Sequence, residues 1–141
     1  MPSDRETILA ALLSQLSGNM TVAITRNDPL PTRLPAMGLA IMRDGDPGEP
    51  DVSMSPLRYH YEHVVEVEAY FEAATGRDTG LDAVCAQIGA AIALDRTLGG
   101  LCDWIETGAP DTDDLALDGA ESLKAAIVPL TLHYAVADPL T

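Results

Sequence analysis

The residues best equipped for chemistry fall in two neighbouring stretches of the chain. His60 and His63 stand as H-x-x-H, and Asp44-Gly-Asp46-Pro-Gly48-Glu49 begins like a calcium loop. Glu66 and Glu68, two apart, are spaced to share one face of a strand, where two carboxylates could work as an acid and a base. None of these constellations develops further. On a strand, residues three apart point to opposite faces, so His60 and His63 cannot readily serve one zinc ion, and His133 is far off in sequence. The glycine a calcium loop needs at its sixth position is Glu49 here, and no acid follows at the twelfth. No phosphate-cradling G-x-x-x-x-G-K, no G-x-G-x-x-G and no G-x-S-x-G elbow occurs. The expectation is a non-enzyme with no catalytic residue, no cofactor and no metal. Its rival is a small cytoplasmic enzyme or ligand-binding domain using Glu66, Glu68 or His60 in a pocket on the sheet.

The element that must position these residues is 58–74, RYHYEHVVEVEAYFEAA. Its odd positions (Tyr59, Tyr61, His63, Val65, Val67, Ala69, Phe71) are mostly apolar, and its even positions carry His60, Glu62, Glu66, Glu68 and Glu72. Period two with β-branched and aromatic residues reads as a long strand with one face on a core. A helix opening at Thr79-Gly-Leu-Asp82 supplies the cover, with Leu81, Val84, Cys85, Ile88 and Ile92 at helical spacing. It ends at Asp95-Arg-Thr-Leu-Gly99-Gly100, with one glycine expected in a left-handed cap.

Upstream, Ser3 and Glu6 form a capping-box pattern for a helix over about residues 4–16, whose stripe is Ile8, Leu9, Leu12, Leu13 and Leu16. Strands are expected at 21–26 and 37–43, with Gly38 marking a bulge or a close approach. Residues 43–57 hold three prolines, two glycines and four acids, which rules out a regular element and predicts a long hairpin arm, disordered until bound. A strand at 101–107, an acidic turn at 108–114 and a last strand at 123–137 complete the chain. Pro129 places that last strand at an edge or gives it a bulge. Asp103, Glu106, Asp111, Asp113, Asp114, Asp118 and Glu121 follow one another with no basic residue between them and read as a solvated face.

This order predicts a single α+β domain over 1–141: an antiparallel or mixed β-sheet, two helices packed on one face, and the arm. The opposite sheet face is left uncovered, for water or a neighbouring subunit. With 47% hydrophobic but only 4% aromatic residues, the core should be aliphatic. There is no run of about 18 apolar residues and no signal-peptide pattern at the start, so a soluble protein without a membrane partner is expected. Net charge is −14 and Lys124 is the single lysine. That field repels phosphate backbones and argues against specific nucleic-acid binding; it serves solubility, or a surface that lets polyanions pass. Cys85 and Cys102 fit free thiols in a reducing compartment better than a bridge.

Four stretches together resemble the tail terminator family, the small tail-completion proteins of long-tailed phages, prophages and gene transfer agents. They are the capped first helix, Leu39-Ala-Ile-Met-Arg-Asp-Gly-Asp46 before the proline-rich arm, Arg58-Tyr-His-Tyr-Glu-His-Val-Val-Glu-Val-Glu68, and Leu81-Asp82 through Asp95-Arg-Thr-Leu-Gly-Gly100. The resemblance spans nearly the whole chain. It implies a virion structural protein, assembled in the host cytoplasm, that forms a hexameric ring at the head–tail interface. Such a ring sits on the last ring of tail tube protein, stops polymerisation and offers its other face to a neck, stopper or adaptor protein. DNA passes through its lumen without specific binding. Other head–tail connectors share much of this architecture. On this reading the contacts to neighbours are expected at Arg43, Asp44, Asp46, Glu49, Arg58, Glu66, Glu68 and Pro129.

Overall fold

A computed structural model describes residues 1–112 and 123–141; Asp113, Asp114, Asp118 and Glu121 of the acidic stretch lie outside the described residues. The elements are α1 (Asp4–Asn19), β1 (Ala23–Arg26), β2 (Leu39–Asp46), β3 (Asp51–Ser53), β4 (Arg58–Glu72), α2 (Arg77–Leu94), β5 (Trp104–Thr107) and β6 (Leu123–Val136). The sheet order is β1-β2-β4-β6-β5, with β3 pairing the start of β4. Only β1 and β2 run parallel, so the sheet is mixed, and the α+β expectation holds.

The long strand forms as its alternation dictates. Tyr61, His63, Val65, Val67 and Ala69 are buried, and β6 answers them across the ladder with Ala126, Val128, Leu130, Leu132, Tyr134 and Val136. Both helices lie on that face, α1 through Ile8, Leu9, Leu12 and Leu16, and α2 through Leu81, Val84, Ile88, Ala91 and Ile92, in one aliphatic core. Burying each such Val, Leu or Ile side chain contributes roughly 1.5–3 kcal/mol. Polar clamps set the layer: Gln15 Nε2 donates to the Ala91 and Asp95 carbonyls at 2.9 and 2.8 Å, and Gln87 Oε1 accepts from the Thr21 and Val22 amides. No helix among the described residues is long and apolar enough to cross a membrane.

Several sequence expectations need correction. The Ser3 cap forms, its Oγ accepting from the Glu6 amide, but the Glu6 carboxylate turns to Arg26 instead of back to Ser3. Helix α2 begins at Arg77, not Thr79, after Gly76 in a left-handed conformation with no side-chain cap. It stops at Leu94, and both Gly99 and Gly100 take positive φ in the turn beyond, where the Asp95 carboxylate accepts from the Thr97 and Gly99 amides. Cys102 lies in that turn and not in a strand; its thiol and that of Cys85 are free, and burial raises both, Cys102 to about 11.

Strand β6 is not an edge, because β5 flanks it, and its ladder with β4 carries no bulge at Pro129, which pairs with Glu66 in unbroken register. The Pro129 carbonyl accepts from Gly108, just past the end of β5. The amide and carbonyl of a strand residue point the same way, so the missing donor of Pro129 faces the place where its neighbour leaves the ladder.

Nor is the face opposite the helices wholly bare. Parallel pairing of β1 and β2 demands a crossover. The connection between them puts Leu30 and Leu34 against Leu39, Ile41, Tyr70, Ala125 and Leu123, a second small apolar cluster. Gly38 ends this crossover as a close approach: with φ at +97°, a Cβ there would stand 2.8 Å from the Tyr70 carbonyl oxygen and 3.0 Å from Val84. Gly38→Ala should therefore lower stability by about 1–3 kcal/mol. Gly18→Ala, with nothing within 4 Å of the added methyl, should not. Paired thermal melts check this, and equal midpoints for the two variants would refute the close-approach account.

Candidate functional site

The 43–57 segment was expected to hold no regular element, yet much of it is paired. Strand β2 runs on to Asp46, and β3 pairs Asp51, Val52 and Ser53 with His60, Tyr59 and Arg58. The chemistry of glycine makes this possible. Between the pairs Arg43–Glu66 and Asp46–Val64, β2 carries one more residue than β4, a bulge. Gly45 takes φ of +70° there, packed so tightly on the Val64 carbonyl that a side chain has no room. The arm is thus a continuation of the sheet, bent at its root. It ends in a tip where Val52, Met54 and Leu57 are exposed.

Asp44 holds that root by both its ends. Its carboxylate takes two hydrogen bonds from Arg26, Nε to Oδ1 at 2.7 Å and Nη2 to Oδ2 at 2.9 Å, and Arg26 also grips both oxygens of Glu6 at 2.8 Å. One guanidinium thus joins α1, β1 and β2. These hydrogen bonds hold the Glu6 and Asp44 carboxyls below their usual range and push the guanidinium further up. The Asp44 carbonyl accepts from His63 Nε2 at 2.6 Å, and the other ring nitrogen of His63 lies 2.9 Å from the Tyr134 hydroxyl. His63 is 1% exposed.

The eight expected contact residues divide accordingly. Arg43, Glu66 and Pro129 stand in one row across β2, β4 and β6, on the face away from the helices. Glu68 lies beside them but is engaged, accepting from Arg43 at 3.2 Å and from the Tyr70 hydroxyl at 2.8 Å. Burial, then the Glu68 carboxylate, pushes Tyr70 up to about 12, so it stays a donor. Arg58 is exposed near the tip, donating to the Ala135 carbonyl, and Glu49 is exposed in the loop before β3. Asp46 caps that loop, accepting from Gly48 N at 2.9 Å. Asp44 serves structure. From Glu68 to Arg58 this surface runs roughly 33 Å along β4, and it also carries Glu62, exposed Trp104, and His133 within 3.9 Å of Glu106.

As chemistry the arrangement offers little convergence. Asp44 and Asp46 spend their oxygens on Arg26 and Gly48 and not on a common point, and His60 and His63 do face opposite ways, His60 bonding Ser53. No group of three or more His, Cys, Asp or Glu among the described residues could hold a metal ion. Sequence reasoning missed the Arg26 node, the His63 clamp, and the Arg96 guanidinium 5.1 Å over the Trp104 ring. The one legible signal was His63 itself, a histidine at a core-facing position of β4.

What the fold and this surface define is a mixed-sheet α+β domain with a half-open, acidic sheet face continued by a hairpin. No protein-family model and no curated protein matches the chain. Among solved structures it is similar to one described as an extracellular contractile injection system, PVC sheath/tube terminator in extended state, at 13% identity and a TM-score of 0.49. That match covers 98% of this chain, which spans 58% of the other's length.

The Arg26 node makes a direct prediction. Both carboxyls titrate lower in the folded chain than when unfolded, so their contribution is present in full above the ordinary carboxylate range and is lost progressively as pH falls below it toward the lowered folded values. Arg26→Met should lower stability by about 1–2 kcal/mol at neutral pH. Denaturant titrations at pH 7 and pH 3.5 should show that difference shrinking in acid. A gap that stays constant with pH would mean that packing, not charge, accounts for it.

Proposed function

We propose that this chain is a structural assembly protein of a phage-like particle, a tail terminator. Six copies close into a ring on the last ring of the tail tube, end its polymerisation and present a second surface to a neck, stopper or adaptor protein. The observation that carries this reading is the continuous surface formed by the open sheet face and the hairpin. One end is a row of Arg43, Glu66 and Pro129 carrying two charged side chains, and the other is a tip with three exposed apolar side chains, Val52, Met54 and Leu57. Two unlike surfaces on one subunit are what a heterologous contact requires, and such contacts close a ring when the rotation between copies allows it. The sequence resemblance supports the same assignment. The net charge of −14 suits a lumen through which DNA slides, since like charge prevents the counterion release that drives binding.

On this reading Arg43, Glu66, Glu68, Pro129, Arg58, Asp46 and Glu49 meet neighbours, while Asp44 keeps the hairpin in place for them. The protein is then part of the finished particle, at the joint of head and tail, after assembly in the host cytoplasm. Another head–tail connector would use the same surface, and tail length separates the two, because only a terminator sets where the tube stops.

Native mass spectrometry of the purified chain, alone and mixed with tail tube subunits, tests the ring. Six copies of the 14.9 kDa chain give a species of roughly 90 kDa. Met54→Asp and the pair Asp46→Lys with Glu49→Lys should each cut ring formation or capping by tenfold or more, with melting temperatures within about 2 °C of the parent. A chain that stays monomeric even on tube ends, or variants that leave tail length unchanged, would sink the proposal.

A further inference from the structure

The His63 clamp is not used by the assembly reading and stands independently of it. Its hydrogen bonds specify a single protonation state. The Asp44 carbonyl can only accept, so Nε2 of His63 carries the proton. Nδ1 is then the acceptor, and the Tyr134 hydroxyl, which burial pushes up to about 12, donates to it. The neutral ring is fully satisfied. A second proton would sit on Nδ1 and donate to the Tyr134 oxygen, turn that hydroxyl's own proton away from the ring, and place a positive charge in the core.

The groups facing the ring do little to offset that charge. From β6 comes Tyr134, and from β4 comes Tyr61, its ring 5.7 Å from that of Tyr134. The Asp44 carbonyl, which accepts from Nε2, favours the charge, Arg5 of α1 opposes it, and the Asp44 and Asp46 carboxylates of β2 favour it more weakly. Asp44 is already neutralised by Arg26, and Asp46 is turned to the Gly48 amide. Burial prevails, holding the ring below its ordinary value.

Relief has one accessible direction. On one side of the ring stands the β4–β6 ladder; on the other is the bulge, whose Asp44, Gly45 and Asp46 are only partly buried or exposed.

We propose that His63 is an acid-released latch. Uncharged, its ring clamps the Asp44 carbonyl and closes the bulged root of the hairpin on the sheet; charged, it opens that root so that water reaches the ring. The direction follows from linkage: the open form, with its ring in water, takes up a proton more readily than the closed form. Closure is therefore at full strength above the ordinary histidine range and weakens progressively as pH falls below it toward the lowered value of the closed ring. Most carboxylates titrate below this window. Of the chain's three histidines, His60, bonded to Ser53 of β3, is the one that must be controlled for.

Hydrogen exchange of the intact chain tests the latch. Corrected for intrinsic rates, amides in 45–53 should exchange at least tenfold faster at pH 5.0 than at pH 7.5, while the central β4–β6 amides stay protected. His63→Gln, which keeps a donor for the Asp44 carbonyl but cannot charge, should abolish this response, and His60→Gln should retain it. Ring nitrogen shifts of His63 should report the Nε2–H tautomer at neutral pH, with a titration midpoint that matches the opening. A response that survives His63→Gln, disappears in His60→Gln, or is absent from the parent overturns the latch. Should His63→Gln fail to fold, the two midpoints in the parent chain decide, and midpoints that differ by a pH unit or more overturn it.

Discussion

The ladder between β4 and β6, paired without interruption from Tyr59–Val136 to Glu72–Leu123, is the constraint on which everything else depends. It fixes which residues look toward the helices and which look away. A slip of one residue would bring Glu62, Glu66 and Glu68 under α1 and α2 and expel Val65 and Val67. Burying carboxylates in an aliphatic core costs several kcal/mol each, so the register has no near competitor. Helices, crossover and hairpin all attach to a frame that the alternation of two strands has already set.

The frame's weak point is where β2 must bend to follow β4 into the hairpin. A bulge leaves ladder groups without strand partners, and a buried carbonyl with none costs about 1–3 kcal/mol. Here the cost is met by side chains from three elements and one loop residue. His63 of β4 donates to the Asp44 carbonyl, Asn27 accepts the Asp44 amide at 3.2 Å, and Arg26 with Glu6 holds the Asp44 carboxylate. Bending the strand thus concentrates the polar order of the molecule at one residue. That residue reads in sequence as one more surface acid.

This explains what was legible and what was not. Period-two alternation in β4 and β6 and the stripes of α1 and α2 are local in sequence and were read correctly, while at Gly38 the sequence left a bulge or a close approach open and the structure shows the second. The bent hairpin was misread because Pro47, Pro50 and two glycines look like breakers until Gly45 is seen against the Val64 carbonyl, a contact 19 residues away in sequence. Pro129 was misplaced for a similar reason: its tolerance depends on where β5 ends, which β6 does not encode. At the site, two of the expected contact residues, Asp44 and Glu68, have partners that the local sequence does not show, because Arg26 and Arg43 reach them from other strands. Asp113, Asp114, Asp118 and Glu121 lie outside the described residues.

The sheet's edges say how such a molecule can and cannot associate. Both terminal strands, β1 and β5, are only four residues long, too short to template a further strand well. At β5, Arg96 donates to the Ile105 carbonyl at 2.8 Å from outside the sheet, occupying an acceptor that an incoming strand would need. At β1, the end of the strand is taken up by the Arg26 node. Edge-to-edge growth through β1 or β5 is therefore disfavoured. Among the described residues, the acidic part of the open face and the apolar hairpin tip are left without cover, and any contact through them would be made by side chains whose positions the β4 register dictates. Such a contact would be specific in orientation and sensitive to the angle of the hairpin root, which the Asp44 node sets.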